Sequence, residues 1–205
     1  TVQKLISLGA DLTKVDKQGE NALLLALSNK HFKTASLLIK SGISTNTQDL
    51  KKRTPIMEAS AQGSLELTRL LIKKGVDVNA RDFVGKTSLM IAAAEGHINI
   101  AKVLLREQSR LDFRDRYGWT AWIYAAEKQQ LPMVKFLSEK EIDNEGNLFY
   151  AVSRGHLKVI KILLDLGINI EIHDSQGWTL LMWAANNGHS KVVELLLNGG
   201  ARIND

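Results

Sequence analysis

The residues best suited to chemistry in this 205-residue sequence recur at a fixed interval. Asp16, Asp49, Asp82 and Asp115 stand 33 residues apart, and four of the five histidines, His31, His97, His156 and His189, follow Gly in three cases and Lys30 in one. Carboxylates and imidazoles are the usual instruments of proton transfer and metal binding. One carboxylate every 33 residues cannot converge on an ion, so the aspartates read as turn formers. The histidines, all at one recurrent position, read as turn residues that hydrogen-bond the loop, and His173 reads as exposed. No cysteine is present, which excludes disulfides, thiolate metal sites and cysteine nucleophiles. No phosphate-cradling glycine loop, nucleophile beside a base, or carboxylate pair outside the recurring set appears. The chemistry on offer is that of a surface, with no cofactor, metal or small-molecule substrate expected and no catalytic residue to name.

The elements that position these residues repeat with them. Ala26, Ala59, Ala92 and Ala125 keep the same 33-residue step. In DFVGKTSLMIAAAEGHINIAKVLLREQSRLDFR (82–114), an Asp and a Gly frame a turn. A helix of small residues then runs to Gly96-His97, and an apolar-periodic helix runs from Ile98 to about Arg106. Such a helix-turn-helix cannot bury its own apolar faces, and stacking on its neighbours does so. The expected fold is an all-α solenoid, with a partial unit at 1–15 and units at 16–48, 49–81, 82–114, 115–143, 144–173 and 174–205.

The period breaks once. Ala125 to Ala151 spans 26 residues, whereas Ala151 to Ala184 returns to 33. The seven missing residues are placed between Asp143 and Gly146, so the fifth unit is expected to keep helices at about Asn147–Ser153 and Leu157–Leu164 but to lack its projecting loop. Both ends read as uncapped, as in a piece of a longer array.

Composition sets outer limits. Apolar residues make up 44% and charged residues 24%, ordinary for a globular chain, and no run reaches the roughly 18–20 apolar residues of a membrane span. The opening TVQKLISLGADLTK lacks the features of a signal peptide, so a cytoplasmic location is expected. Twenty-seven basic against 22 acidic residues give +5, a mild bias toward acidic partners.

The run Arg53-Thr54-Pro55-Ile56-Met57-Glu58-Ala59 resembles the ankyrin repeat, whose signature joins a 33-residue period to a T-P-L-H-x-A opening. So does Gly177-Trp178-Thr179-Leu180-Leu181-Met182-Trp183-Ala184-Ala185. The resemblance covers the whole chain. It implies stacked helix pairs with projecting β-turn or hairpin fingers. It also implies a non-enzymatic scaffold that grips a protein or peptide on a concave surface of finger tips and first-helix flanks.

On that surface fall Phe83, Tyr117, Trp119 and Trp178, expected to be solvent-exposed, with Arg81, Lys86, Arg114 and Arg116 around them. Aromatics and arginine dominate binding hot spots. With Lys51, Lys52 and Arg53 the bases outnumber Asp49, Asp82 and Asp115 seven to three, so an acidic partner is expected on the second to fourth fingers. Two alternatives accompany it. Trp119, Tyr124, Glu127 and Tyr150 are similar to the aromatic cage with which ankyrin domains of certain histone lysine methyltransferases hold a methylated lysine, a cation–π recognition. The basic fingers would also suit nucleic acid, although no known reader motif accompanies them.

Overall fold

The computed structural model describes residue 4 and residues 8–140 and 144–202. Most of the first seven residues of the partial unit expected at 1–15, and Asp143, one bound of the expected loss, fall outside the described residues. Twelve helices occur among the described residues, alternating between a first helix of seven residues, called short, and a second of eight or nine, called long, except that the fifth first helix has ten. Short helices are Ala22–Ser28, Pro55–Ala61, Ser88–Ala94, Ala121–Glu127, Asn144–Ser153 and Leu180–Asn186. Long ones are Phe32–Lys40, Leu65–Lys73, Ile98–Arg106, Leu131–Ser138, Leu157–Asp165 and Ser190–Asn198. The fold is the all-α repeat solenoid that the period implies. The chain forms two compact units, Thr1–Tyr124 and Ala125–Asp205.

Five of the short helices start on a side-chain cap. Thr54, Thr87, Thr120 and Thr179 accept the backbone N–H of Met57, Met90, Ile123 and Met182 on Oγ1, and Asn21 caps the first helix through Leu23 and Leu24. These caps satisfy donors that a helix start leaves orphaned. In the first unit short helices pack on short and long on long. The periodic Ala59 and Ala92 lie fully buried where short helices meet; a larger side chain there would hold the layers apart. Leu67, Leu71, Ile100 and Leu104 fill the space behind them. The second unit repeats the plan with Ala151, Ala184, Val159, Leu163 and Leu196.

The turn between the two helices of a pair needs one left-handed residue, supplied by Gly63 at φ 72° and Gly96 at φ 73°. Lys30 and Gln129 take the same conformation, at φ 59° and 54°, where the first and fourth pairs lack the glycine. The packing of the pair therefore dictates the conformation even against the side chain's preference.

Fourteen residues separate a long helix from the next short one at 41–54, 74–87, 107–120 and 166–179, but only five, 139–143, do so before Asn144. The fifth short helix begins three residues earlier than the period implies.

Candidate partner-binding surface

Five fingers share one construction. Oδ1 of Asp16, Asp49, Asp82, Asp115 and Asp174 accepts the N–H groups two and four residues on, for example Tyr117 and Trp119 at 2.9 Å each from Asp115. The aspartates thus hold turns, and no group of His, Cys, Asp and Glu able to hold a metal occurs among the described residues. Bridging is limited to the isolated pairs Val15 with Asn21 and His173 with Thr179 among those residues, so the fingers are closed turns rather than hairpins of regular strands.

In the first unit successive fingers are tied by their backbones. Leu50 donates to the Gln18 carbonyl at 2.8 Å, Phe83 to Lys51 at 2.8 Å and Arg116 to Val84 at 2.9 Å. The arginines expected to meet a partner reinforce this ladder. Arg81 donates to the Arg114 carbonyl at 2.6 Å and to Gly85 at 3.2 Å, Arg114 to Gly118 at 3.1 Å, and Arg116 to Phe83 at 3.1 Å. The Arg116 guanidinium also lies 4.7 Å from the centre of the Phe83 ring. All three arginines remain exposed. They clamp the fingers and present charge together, and the clamping role is one the sequence did not reveal.

The aromatics divide. Phe83 and Tyr117 are 61% and 68% exposed, as expected. Trp119 and Trp178 are half-buried instead, because each packs on a ring five residues further on. Trp119 meets Tyr124 edge to face at 5.1 Å between centroids, and Trp178 meets Trp183 at 5.7 Å. The second oxygen of the finger aspartate completes both arrangements. Tyr124 donates its hydroxyl to Asp115 Oδ2 at 2.5 Å, and Trp183 donates Nε1–H to Asp174 Oδ2 at 2.9 Å. In the second full unit the same two positions hold the ion pair Arg53–Glu58, with Glu58 buried and also accepting from Gln62. Reasoning from sequence took Asp115 as a turn former only, missing its bond to Tyr124, and did not single out the Asp174–Trp183 pair. A donor nine residues after Asp115 and after Asp174 was the available signal.

The four cage residues fall two in each compact unit. In the first, Lys86 Nζ lies 4.6 Å from the centre of the Tyr124 ring, so this ring already faces a cation of the chain itself. Burial, followed by the bond to Asp115, pushes the Tyr124 hydroxyl well above the usual tyrosine pKa. In the second unit Glu127 Oε1 accepts from Tyr150 Oη at 2.7 Å, Arg154 Nε at 3.1 Å and His156 Nε2 at 3.3 Å. Burial alone would raise the Glu127 carboxyl, but these donors outweigh it and hold the group below its ordinary value. The Tyr150 hydroxyl is pushed up by burial and by the same carboxylate. Both tyrosine hydroxyls and the carboxylate are thus already engaged within their own units.

The histidines depart from expectation. His31, His97, His156 and His189 stand at helix N-caps without a side-chain capping bond. His189 reaches back to donate to the Ser153 carbonyl at 3.0 Å, and His156 reaches Glu127. The imidazoles of His97 and His189 cover Gly63 and Gly155 so closely that a Cβ on Gly63 would meet His97 at 2.8 Å. They join one helix pair to the preceding one instead of closing their own turn. His173 is exposed.

Helix pairs repeating at a 33-residue period broken once, five of the six preceded by an aspartate-held finger, define a class of protein: a helical repeat scaffold. A family model described as ankyrin repeats in three copies matches residues 1–82, 83–147 and 144–205, so the chain belongs to the ankyrin repeat family. Ankyrin repeats generally serve as protein–protein interaction modules and are typically non-enzymatic. No helix among the described residues is long and apolar enough to cross a membrane.

Proposed function

We propose that the fingers of the first unit bind an acidic protein segment, with Phe83 and Tyr117 as apolar anchors and Arg81, Arg114 and Arg116 as the charge that selects it. The observation carrying this reading is two large aromatics left mostly in solvent on adjacent fingers, beside guanidinium groups already fixed by backbone carbonyls. An exposed ring adds little to folding but offers about 150–250 Å² of rigid area to a partner. An arginine held in place loses less side-chain entropy when it meets a carboxylate.

Selection from a displayed random-peptide library tests the proposal with no partner assumed in advance. Peptides recovered by the wild-type chain are expected to be enriched in Asp and Glu. Phe83→Ala/Tyr117→Ala and Arg114→Glu/Arg116→Glu are each expected to weaken them about tenfold or more, with association slowing in the arginine variant and losing its salt dependence. Recovery of neutral or basic peptides, or unchanged binding by both variants, refutes it.

A further inference from the structure

The backbone ladder that ties the fingers of the first unit ends with an acceptor left over. At each step the N–H one residue after a finger aspartate donates to the carbonyl two residues after the preceding one: Leu50 to Gln18, Phe83 to Lys51 and Arg116 to Val84, at 2.8, 2.8 and 2.9 Å. The next carbonyl in the series is that of Tyr117, and no donor among the described residues reaches it. The connection that would carry the next finger, 139–143, has five residues where the others have fourteen. The glycines show the same opening by packing. A Cβ on Gly19 would lie 3.4 Å from Asp49 Cα, and one on Gly85 3.3 Å from Asp115 Cα, each against the backbone of the following finger. A Cβ on Gly118 would meet nothing within 4 Å.

The open edge has its own chemistry. Tyr117 is 68% exposed beside its unbonded carbonyl. Arg116 bonds a carbonyl and lies against the Phe83 ring, and no carboxylate pairs with it among the described residues. The acidic groups of this finger are engaged: Asp115 is buried and accepts from Tyr117, Trp119 and Tyr124, and Asp112 pairs with Arg110. The finger of the second unit is open in the same way at Gln176 and Gly177. It has Ser175 and Gln176 where the first unit's last finger has Arg116 and Tyr117, so it offers neither ring nor charge. A row of backbone bonds that stops at an exposed acceptor is a template for another extended chain, with flanking side chains to select it.

We propose that the acidic segment joins the first unit as a substitute for the next finger. One of its backbone N–H groups bonds the Tyr117 carbonyl, its carboxylates face Arg114 and Arg116, and its chain passes over Gly118. This rests on the acidic-partner reading of the fingers and fixes the edge at which that partner attaches. The backbone bond demands an extended segment without proline at the bonding residue, since proline has no N–H to give, and the arginines and the Tyr117 ring set the preference among such segments.

Triple-resonance NMR of the full chain titrated with the peptide Glu-Asp-Leu-Glu-Asp reads the bond directly. The Tyr117 carbonyl carbon is expected to move downfield on saturation, while those of Gln18, Lys51 and Val84, already bonded, stay in place. Replacing the peptide's amides by esters one at a time should weaken binding about fivefold at a single position. Gly118→Asn puts a Cβ in the path of the segment while keeping a residue that tolerates positive φ, and should weaken binding about tenfold or more. Gly177→Asn, at φ 80° against 79° and equally free of contacts, should lower the melting temperature by the same amount and leave binding unchanged. A Tyr117 carbonyl that does not move in the complex, or binding that Gly118→Asn leaves intact, overturns the proposal. If Phe83→Ala/Tyr117→Ala still abolishes that binding, the finger surface stands without the backbone bond. No binding by the wild-type chain, or equal binding of Gln-Asn-Leu-Gln-Asn, overturns the proposal together with the acidic selection it rests on.

Discussion

The bond between Tyr124 and Asp115 should be among the most valuable single contacts in the first unit, and a double-mutant cycle can measure it. Both groups are buried, the oxygens are 2.5 Å apart, and the acceptor is a carboxylate. A hydrogen bond to a charged group contributes about 1.5–3 kcal/mol. Tyr124→Phe removes the donor while keeping the ring against Trp119. Asp115→Asn keeps an acceptor for the Tyr117 and Trp119 N–H groups while removing the charge. The expected coupling energy between the two is about 2 kcal/mol, with Tyr124→Phe alone costing about as much. Asp82→Asn is the internal reference. Asp82 holds the same kind of turn, but the residue nine positions on is Ile91, which has no side-chain donor. That variant should therefore be milder than Asp115→Asn. Urea unfolding followed by far-UV circular dichroism gives the stabilities, and near-UV dichroism reports Trp119, whose signal should weaken in Tyr124→Phe as its neighbour loosens. A coupling below about 0.5 kcal/mol, or equal costs for Asp82→Asn and Asp115→Asn, would show that the carboxylate gains nothing from Tyr124 beyond what water provides.

Two further outcomes follow from the second unit and the turns. Glu127 is held below its ordinary value of 4.5 by Tyr150, Arg154 and His156, so its contribution is complete above that pH and is lost as pH falls through the folded-state value. Glu127→Gln should flatten the acid limb of the stability curve, and parallel limbs for the two proteins would count against the network. Gly75→Ala meets no atom within 4 Å and bears only the strain of φ 76°, about 1 kcal/mol. Gly63→Ala adds a contact with His97 at 2.8 Å and should cost at least a further kcal/mol. Thermal melts of both, and of Gly63→Ala with His97→Ala, check this, since the second substitution should recover most of the difference.

What could be read from the sequence, and what could not, divides along a physical line. The period, the helix pairs and the turn aspartates were legible because each depends on neighbours a few residues apart in the chain. Even the residues that break the glycine pattern, Lys30, Lys52, Gln108 and Gln129, take positive φ where the period calls for it. The shortened fifth connection was legible as arithmetic, although the earlier start of its helix was not. The burial of Trp119 and Trp178, the arginine clamps and the histidines reaching back to the preceding pair were hidden. They are contacts between stacked units or between a finger and its own helix, and a residue's type does not state which of two faces it will occupy.

That line also says where function should be sought in a repeat protein. A residue explained by the period serves the stack first. Asp115, Trp119 and Tyr124 look like surface chemistry in the sequence, yet they close on one another, and the ion pair Arg53–Glu58 fills the same positions by other means. What the stack does not use is more informative. Phe83 and Tyr117 stay 61% and 68% exposed, although the Phe83 ring also carries the Arg116 guanidinium. That pair is the apolar part of the surface proposed above for an acidic partner.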